Sequence, residues 1–230
     1  MDEDLTPSYQ DRLQLSNLQK LRDCKALEVE ESNIGSLTIG VDPTDIVFEV
    51  SPVHHEVIFS PSLLKNELRY SHLSCFWRTP PNVPHLAGEF HLVSLYDALL
   101  GPVSGLTWEG SSKSEAKLNT QLRAIDWTPY SGAGVLTGIR LLANTDPLEI
   151  WHTDPRIGPV RLDIDYGEYL SAILKTKGVF GWQYLYADIK MVGYEFDHYL
   201  EGISRMLETF PSIFPDHNYS ELFQRFEDRR

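Results

Sequence analysis

The chain is poor in cysteine, in long apolar runs and in positive charge, and each deficit narrows what it can be. Cys24 and Cys75 are the only cysteines in 230 residues. They stand far apart and match no metal or redox spacing, so neither a disulfide framework nor a thiolate metal site is expected. No apolar stretch approaches the roughly 18 residues of a membrane-spanning helix. The start, MDEDLTPSYQ, is acidic where a secretory leader would be basic and then apolar, which predicts no export and a reduced, cytoplasmic protein. Lys and Arg total 20 against 33 Asp and Glu, a formal charge of −13. Phosphate binding needs a basic surface, so nucleic acid and anionic membranes are not expected partners. The same excess favours a basic protein partner through steering, or serves only solubility.

Motifs for chemistry are also missing. There is no H-E-x-x-H, no Cys/His cluster and no G-x-S-x-G elbow. Ser131 to Val135 (SGAGV) is glycine-rich but lacks a Lys-Ser/Thr pair, so a turn is the better reading than a phosphate loop. His54 and His55 are adjacent and on a strand would point to opposite faces. His152 is a lone imidazole at a strand end. Asp163 and Asp165 share a strand face, but Asp165 is accounted for as a helix cap. No metal, no cofactor and no catalytic set are expected.

What is present is a strong core signal: 42% hydrophobic residues, with 5 Trp, 11 Tyr and 10 Phe. The clearest stretch runs from Val160 to Tyr186. Val160, Leu162 and Ile164 alternate with Arg161, Asp163 and Asp165, the period-two pattern of a half-buried strand. Asp165 and Glu168 then form a capping-box pair. Tyr166, Tyr169, Leu170, Ile173 and Leu174 give one apolar helical face, and Gly178 suits the left-handed position after the helix. Phe180, Trp182, Tyr184 and Tyr186 follow on a second short helix, and Trp182, Tyr184 and Tyr186 are expected to fill the core beside it.

Along the rest of the chain, Tyr9, Leu13, Leu18, Leu21 and Cys24 predict a first helix. Short β-branched runs follow at 34–41, 46–50 and 56–59, then a helix from Pro61 capped by Ser60, and a strand at 71–77. The proline-dense Thr79 to Pro84 is a stiff connector and the best candidate for a domain boundary. Glu89 to Val93 reads as a strand and Leu95 to Leu100 as a helix with Ser94 at its N-cap. Residues 103–134 look least regular. Strands at 138–142, 148–153 and 160–164 make an antiparallel meander. Glu195 to Phe210 is an amphipathic helix ended by Pro211, and Ser220 to Phe226 adds a last short one.

The run DYGEYLSAILKTKG with GWQYLY, together with HLAGEFHLVSLYDALL at 85–100, resembles the SUKH superfamily of Smi/Knr-type cell-wall regulators and bacterial immunity proteins. These are packing motifs and cover roughly the second half of the chain. The expectation is an α+β fold, an antiparallel sheet with helices packed mainly on one face. Residues 85–230 are expected as the SUKH-like domain, and 1–78 as an N-terminal helix and short strands, either part of that domain or a separate unit. The resemblance implies a non-enzymatic, cytoplasmic immunity protein that binds and neutralises a cognate toxin, often a nuclease. A regulatory scaffold of the Smi/Knr type and a small-molecule enzyme with a dispersed site stay open as alternatives. For the binding face, the residues singled out are Trp108, Glu109, Asp126, Trp127, Tyr130, Trp151 and Asp154, aromatic anchors with acids near them. That these aromatics instead plug one side of the sheet is the plain alternative.

Overall fold

Among the described residues, two antiparallel sheets stand edge to edge, with most helices gathered on one side of them. The computed structural model describes residues 6–37, 56–101 and 112–230. The first sheet has the order β1 (Glu28–Ile34), β2 (His72–Arg78), β3 (Ala87–Val93). The second is β4 (Leu122–Trp127), β5 (Leu136–Arg140), β6 (Glu149–Asp154), β7 (Gly158–Leu162), in chain order. The helices are α1 (Tyr9–Asp23), α2 (Pro61–Lys65), α3 (Leu95–Leu100), α4 (Lys113–Gln121), α5 (Tyr166–Thr176), α6 (Asp197–Ile213) and α7 (Ser220–Arg229), with a 3₁₀ turn at Trp182–Tyr186. This is the expected α+β architecture.

Alternation sorts each strand. On β2 and β3, Leu73, Cys75, Trp77, Phe90 and Leu92 face the helices and are buried. On the second sheet Ile139, Ile150 and Leu162 lie in register and do the same. Against them pack Tyr169, Leu170 and Ile173 of α5, the aromatic 3₁₀ turn, and Ile203, Met206 and Phe210 of α6. The α5 capping box forms as read, with Asp165 and Glu168 each accepting the other's backbone N–H at 2.8 Å. Leu174 is only half-buried.

Several expectations need correction. The proline-dense stretch joins two paired strands of one sheet. It is the loop of a hairpin whose arms pair from His72–Val93 to Arg78–Ala87. Thr79 locks it, donating its hydroxyl to the Pro84 carbonyl and accepting the Leu86 N–H. One hydrophobic cluster runs from Leu18 to Phe226, so residues before and after the loop share a core. A strand not expected from the sequence, Glu28–Ile34, precedes the run 34–41, of which residues 38–41 lie outside the described residues. Residues 56–59 form no strand, and the run at 46–50 lies outside the described residues. Part of the supposedly irregular 103–134 is regular: α4 is held by a Ser112/Glu115 capping box and passes directly into β4. Pro211 sits inside α6, which continues to Ile213. On α1, Tyr9 is exposed while Gln14 and Asn17 turn inward to bond the Leu170 carbonyl and the Lys177 ammonium.

The two sheets meet at β3 and β4. Half of the outer edge of β3 is covered by the chain after α5: Glu89 N–H donates to the Gly178 carbonyl at 2.8 Å, and Phe180 N–H to that of Ala87 at 3.3 Å. The other half is met by a side chain of β4, Asp126, which accepts the His91 N–H at 2.7 Å. These contacts cover the Ala87–His91 part of an edge that would otherwise be open to another strand.

Candidate functional site

The side of the first sheet away from the helices carries a tier of aromatic rings. His72 and His91 stack nearly parallel with centroids 5.1 Å apart, and Trp127 stacks on His91 at 4.2 Å. Tyr130 closes the row, its hydroxyl 3.1 Å from that of Ser74. All four rings are partly exposed. Their positions are fixed from behind. Glu89, buried on β3, accepts the backbone N–H groups of Tyr130 and Ser131 at 2.6 and 3.0 Å and so folds the β4–β5 loop over the sheet. His72 Nε2 lies 3.1 Å from Asn33 Oδ1.

Burial, and then the neighbouring His72, push the His91 pKa down to about 4, so the His91 imidazole is uncharged at neutral pH. His91 Nδ1 is buried without a hydrogen-bond partner among the described residues. The outer strand β1 of the same sheet carries acids: Glu31 opposes Phe76, Glu28 opposes Arg78 at the end of β2 away from His72, and Glu30 is exposed as they are. Glu30 pairs with Arg78.

Of the residues singled out in the sequence, Trp127 and Tyr130 come together on this tier. Trp108 and Glu109 lie outside the described residues. Trp151 sits apart, on β6, donating to Glu149 at 2.8 Å beneath the Arg140 guanidinium. Two acids are not rim residues at all. Asp126 is 3% exposed and points inward, where it also accepts the Tyr169 hydroxyl at 2.7 Å. A bulge between Ala124 and Asp126 causes this: the extra residue reverses the alternation, turning Asp126 in opposite Thr137 and leaving Trp127 out.

Asp154 is fully buried as well. It accepts the Arg156 backbone N–H at 2.8 Å, the Arg156 guanidinium, and the hydroxyls of Tyr199 at 2.5 Å and Tyr184 at 3.4 Å. These bonds fasten the β6–β7 hairpin to α6. Burial opposes the charge, but the Arg156 and Tyr199 bonds outweigh it and hold the carboxyl below its ordinary pKa. Nearby His152 is buried against Tyr184, its Nδ1 3.0 Å from Thr137 Oγ1, and burial lowers its pKa to about 4.

Sequence reading missed two features. Lys177 takes the left-handed conformation at the end of α5, φ 55°, where Gly178 alone was expected to turn, and its side chain is buried. The ammonium bonds Asn17 Oδ1 at 2.7 Å and the Leu174 carbonyl at 2.5 Å, and stands 4.6 Å over the Phe214 ring. No carboxylate pairs with it among the described residues. The second is an apolar groove of about 440 Å³ between the β2–β3 loop and α6, with Leu27, Val83, Leu86 and Ile213 in its walls. A smaller hollow of about 210 Å³ continues it along α6, sharing Leu86 and Arg205. Neither was legible, because their walls come from segments far apart in the chain.

Among the described residues, no group of three or more His, Cys, Asp or Glu side chains is placed to hold a metal ion, and no helix is long and apolar enough to cross a membrane. Compared with family models, with curated proteins and with solved structures, the chain has no match.

Proposed function

We propose that this chain is a non-enzymatic protein-binding module that presents the His72–His91–Trp127–Tyr130 tier to a basic protein partner. The observation that carries the reading is Trp127, partly exposed yet held on His91 at 4.2 Å with its strand pinned by buried Asp126. A pre-positioned aromatic loses little conformational entropy on binding, which is why such residues dominate interface energetics. The acids of β1 stand where a rim charge steers a cationic partner, and the whole chain carries −13. The resemblance to SUKH proteins supplies the finer reading: a cytoplasmic immunity protein whose partner is a cognate toxin domain, a nuclease being the class most often basic. A Smi/Knr-type scaffold uses the same surface without a toxin.

The test is affinity capture of the partner from the native host, then titration of the purified partner against Trp127→Ala. A loss of about 2 kcal/mol or more in binding is expected, with circular dichroism unchanged. Wild-type affinity in a folded Trp127→Ala protein would remove the tier from the interface.

A further inference from the structure

The groove along α6 faces the helix side of the molecule, opposite the aromatic tier, and the proposed binding surface makes no use of it. Its walls are preformed. The Thr79 hydroxyl clamps the loop bearing Val83, and the Leu86 carbonyl accepts the Thr79 N–H at 2.8 Å. Its mouth carries Lys25 and Arg205 against Glu201 and Glu208, so charge cancels locally on a chain of −13. Arg205 is engaged by Glu201 and the His85 carbonyl, whereas Lys25 makes no ion pair among the described residues. Like-charged copies repel least at such a surface.

The same chain exposes a projection of matching character. Val192 and Tyr194 are 70% and 88% exposed, the most exposed large apolar residues among those described. They are not on a loose strand of chain. Met191 and Phe196 on either side are buried; Met191 N–H bonds the Arg229 carbonyl, and Phe196 N–H the Gly193 carbonyl at 3.0 Å. Gly193 at φ 111° permits the tight turn. Glu195 and Asp197 flank the tip, and Lys190 is occupied by the Asp228 carbonyl.

We propose that the groove receives the Val192–Tyr194 tip of a second copy of this chain, and that two copies pair reciprocally across antiparallel α6 helices. The tip of one copy cannot fill its own larger cavity. Thr209 in the groove wall lies about 18 Å along α6 from its first residue, Asp197, at 1.5 Å per residue, and Tyr194 lies before that end. Reversing a second α6 about a two-fold axis near Gly202 brings the two features opposite each other, and the contact closes as a dimer. Gly202 suits the crossing: a side chain there would meet only Val179, at 3.9 Å. Lys25 of one copy then meets Glu195 or Asp197 of the other, and an aromatic side chain with its valine neighbour enters a cavity of about 440 Å³. Both aromatic tiers remain outward, so the pairing is independent of the function proposed above.

Sedimentation of the full chain over micromolar to submillimolar concentrations tests this. The wild type should be a concentration-dependent dimer. Tyr194→Ser and Val83→Asp should each raise the dissociation constant at least about tenfold, which is 1.4 kcal/mol, and the double variant should add little beyond either. Lys25→Glu should weaken pairing and Glu195→Lys should restore it in that background, while Trp127→Ala should change nothing. Both single-site surfaces are exposed, and circular dichroism checks their folding. A monomer at every concentration overturns the proposal, as does a dimer indifferent to Tyr194→Ser. A dimer that needs Tyr194 but tolerates Val83→Asp rejects the groove as the receiving surface.

Discussion

Asp126 accepts the backbone N–H of His91 across the junction of the two sheets, at 2.7 Å, in the place of a ladder bond. One carboxylate thereby joins β3 to β4, and through the Tyr169 hydroxyl it joins both to α5. The price is a charge held away from water. Burial, with Glu89 adding to it, raises the Asp126 pKa from 3.8 to about 7, against the opposing bonds from Tyr169 and His91.

That shift predicts an unusual pH dependence. Between pH 4 and 7 the folded chain holds a proton on Asp126 that the unfolded chain has released, so this group's contribution falls as pH rises through the window. It amounts to roughly 4 kcal/mol in total. Asp126→Asn keeps an acceptor for His91 and removes the titration. Urea midpoints from pH 5 to 8 should therefore slope less in the variant, with the variant the more stable at pH 8. An unchanged slope would show that Asp126 stays ionised throughout.

The helix face read from the sequence has its own test. Leu170 is fully buried beneath the sheets. Leu170→Ala should cost about 2–5 kcal/mol, from lost transfer energy and the cavity left behind. Calorimetric or urea unfolding measures it, and a cost under about 1 kcal/mol would mean that the α5 face is loosely packed.

Why α5 and the meander were legible while the candidate site was only partly so comes down to range. The cap of Asp165, the apolar spacing to Ile173 and the short turns between β5, β6 and β7 are all local, and local patterns survive in a single sequence. Trp127 and Tyr130 were picked out by residue type. Their neighbours His72 and His91 were not, because only pairing of β2 with β3 places those rings together. Asp126 was misplaced because a bulge, invisible in the sequence, reverses the strand's alternation. The Ser112/Glu115 cap of α4 was readable, but Leu118 and Asn119 are its only buried residues, too few to give a helical stripe.

Asp154 should behave as a clamp rather than a surface acid. Asp154→Ala leaves the Tyr199 and Tyr184 hydroxyls and the Arg156 side chain without their common acceptor. Removing one partner of a buried charged network costs about 3–5 kcal/mol. Because the folded-state pKa is depressed, the contribution is complete above the ordinary carboxyl pKa and is lost as pH falls below it. The gap between variant and wild type should narrow as pH falls below the ordinary carboxyl pKa, as followed by urea unfolding.

Lys177 supplies the opposite case on the basic side. Burial, then the ammonium of Lys20, lower its pKa from 10.5 to about 7; Asp216 and the Cys24 thiol act the other way, and His217 Nε2 lies 3.3 Å from the amine. An unfolded chain keeps the proton up to pH 10.5, while the folded one gives it up near 7. The unfolded state therefore binds more protons between these values, and stability should rise with pH across that window. Lys177→Met removes the titrating group and should flatten the rise. It also leaves Asn17 Oδ1 and the Leu174 carbonyl without their donor, at about 1–3 kcal/mol. Near pH 10 the variant should accordingly be the less stable of the two. Near pH 6, where the wild type carries a buried charge that makes no ion pair among the described residues, the gap should close or reverse. Thermal or urea unfolding at the two pH values decides it, and parallel curves for the two proteins would mean that water reaches the amine in the folded state.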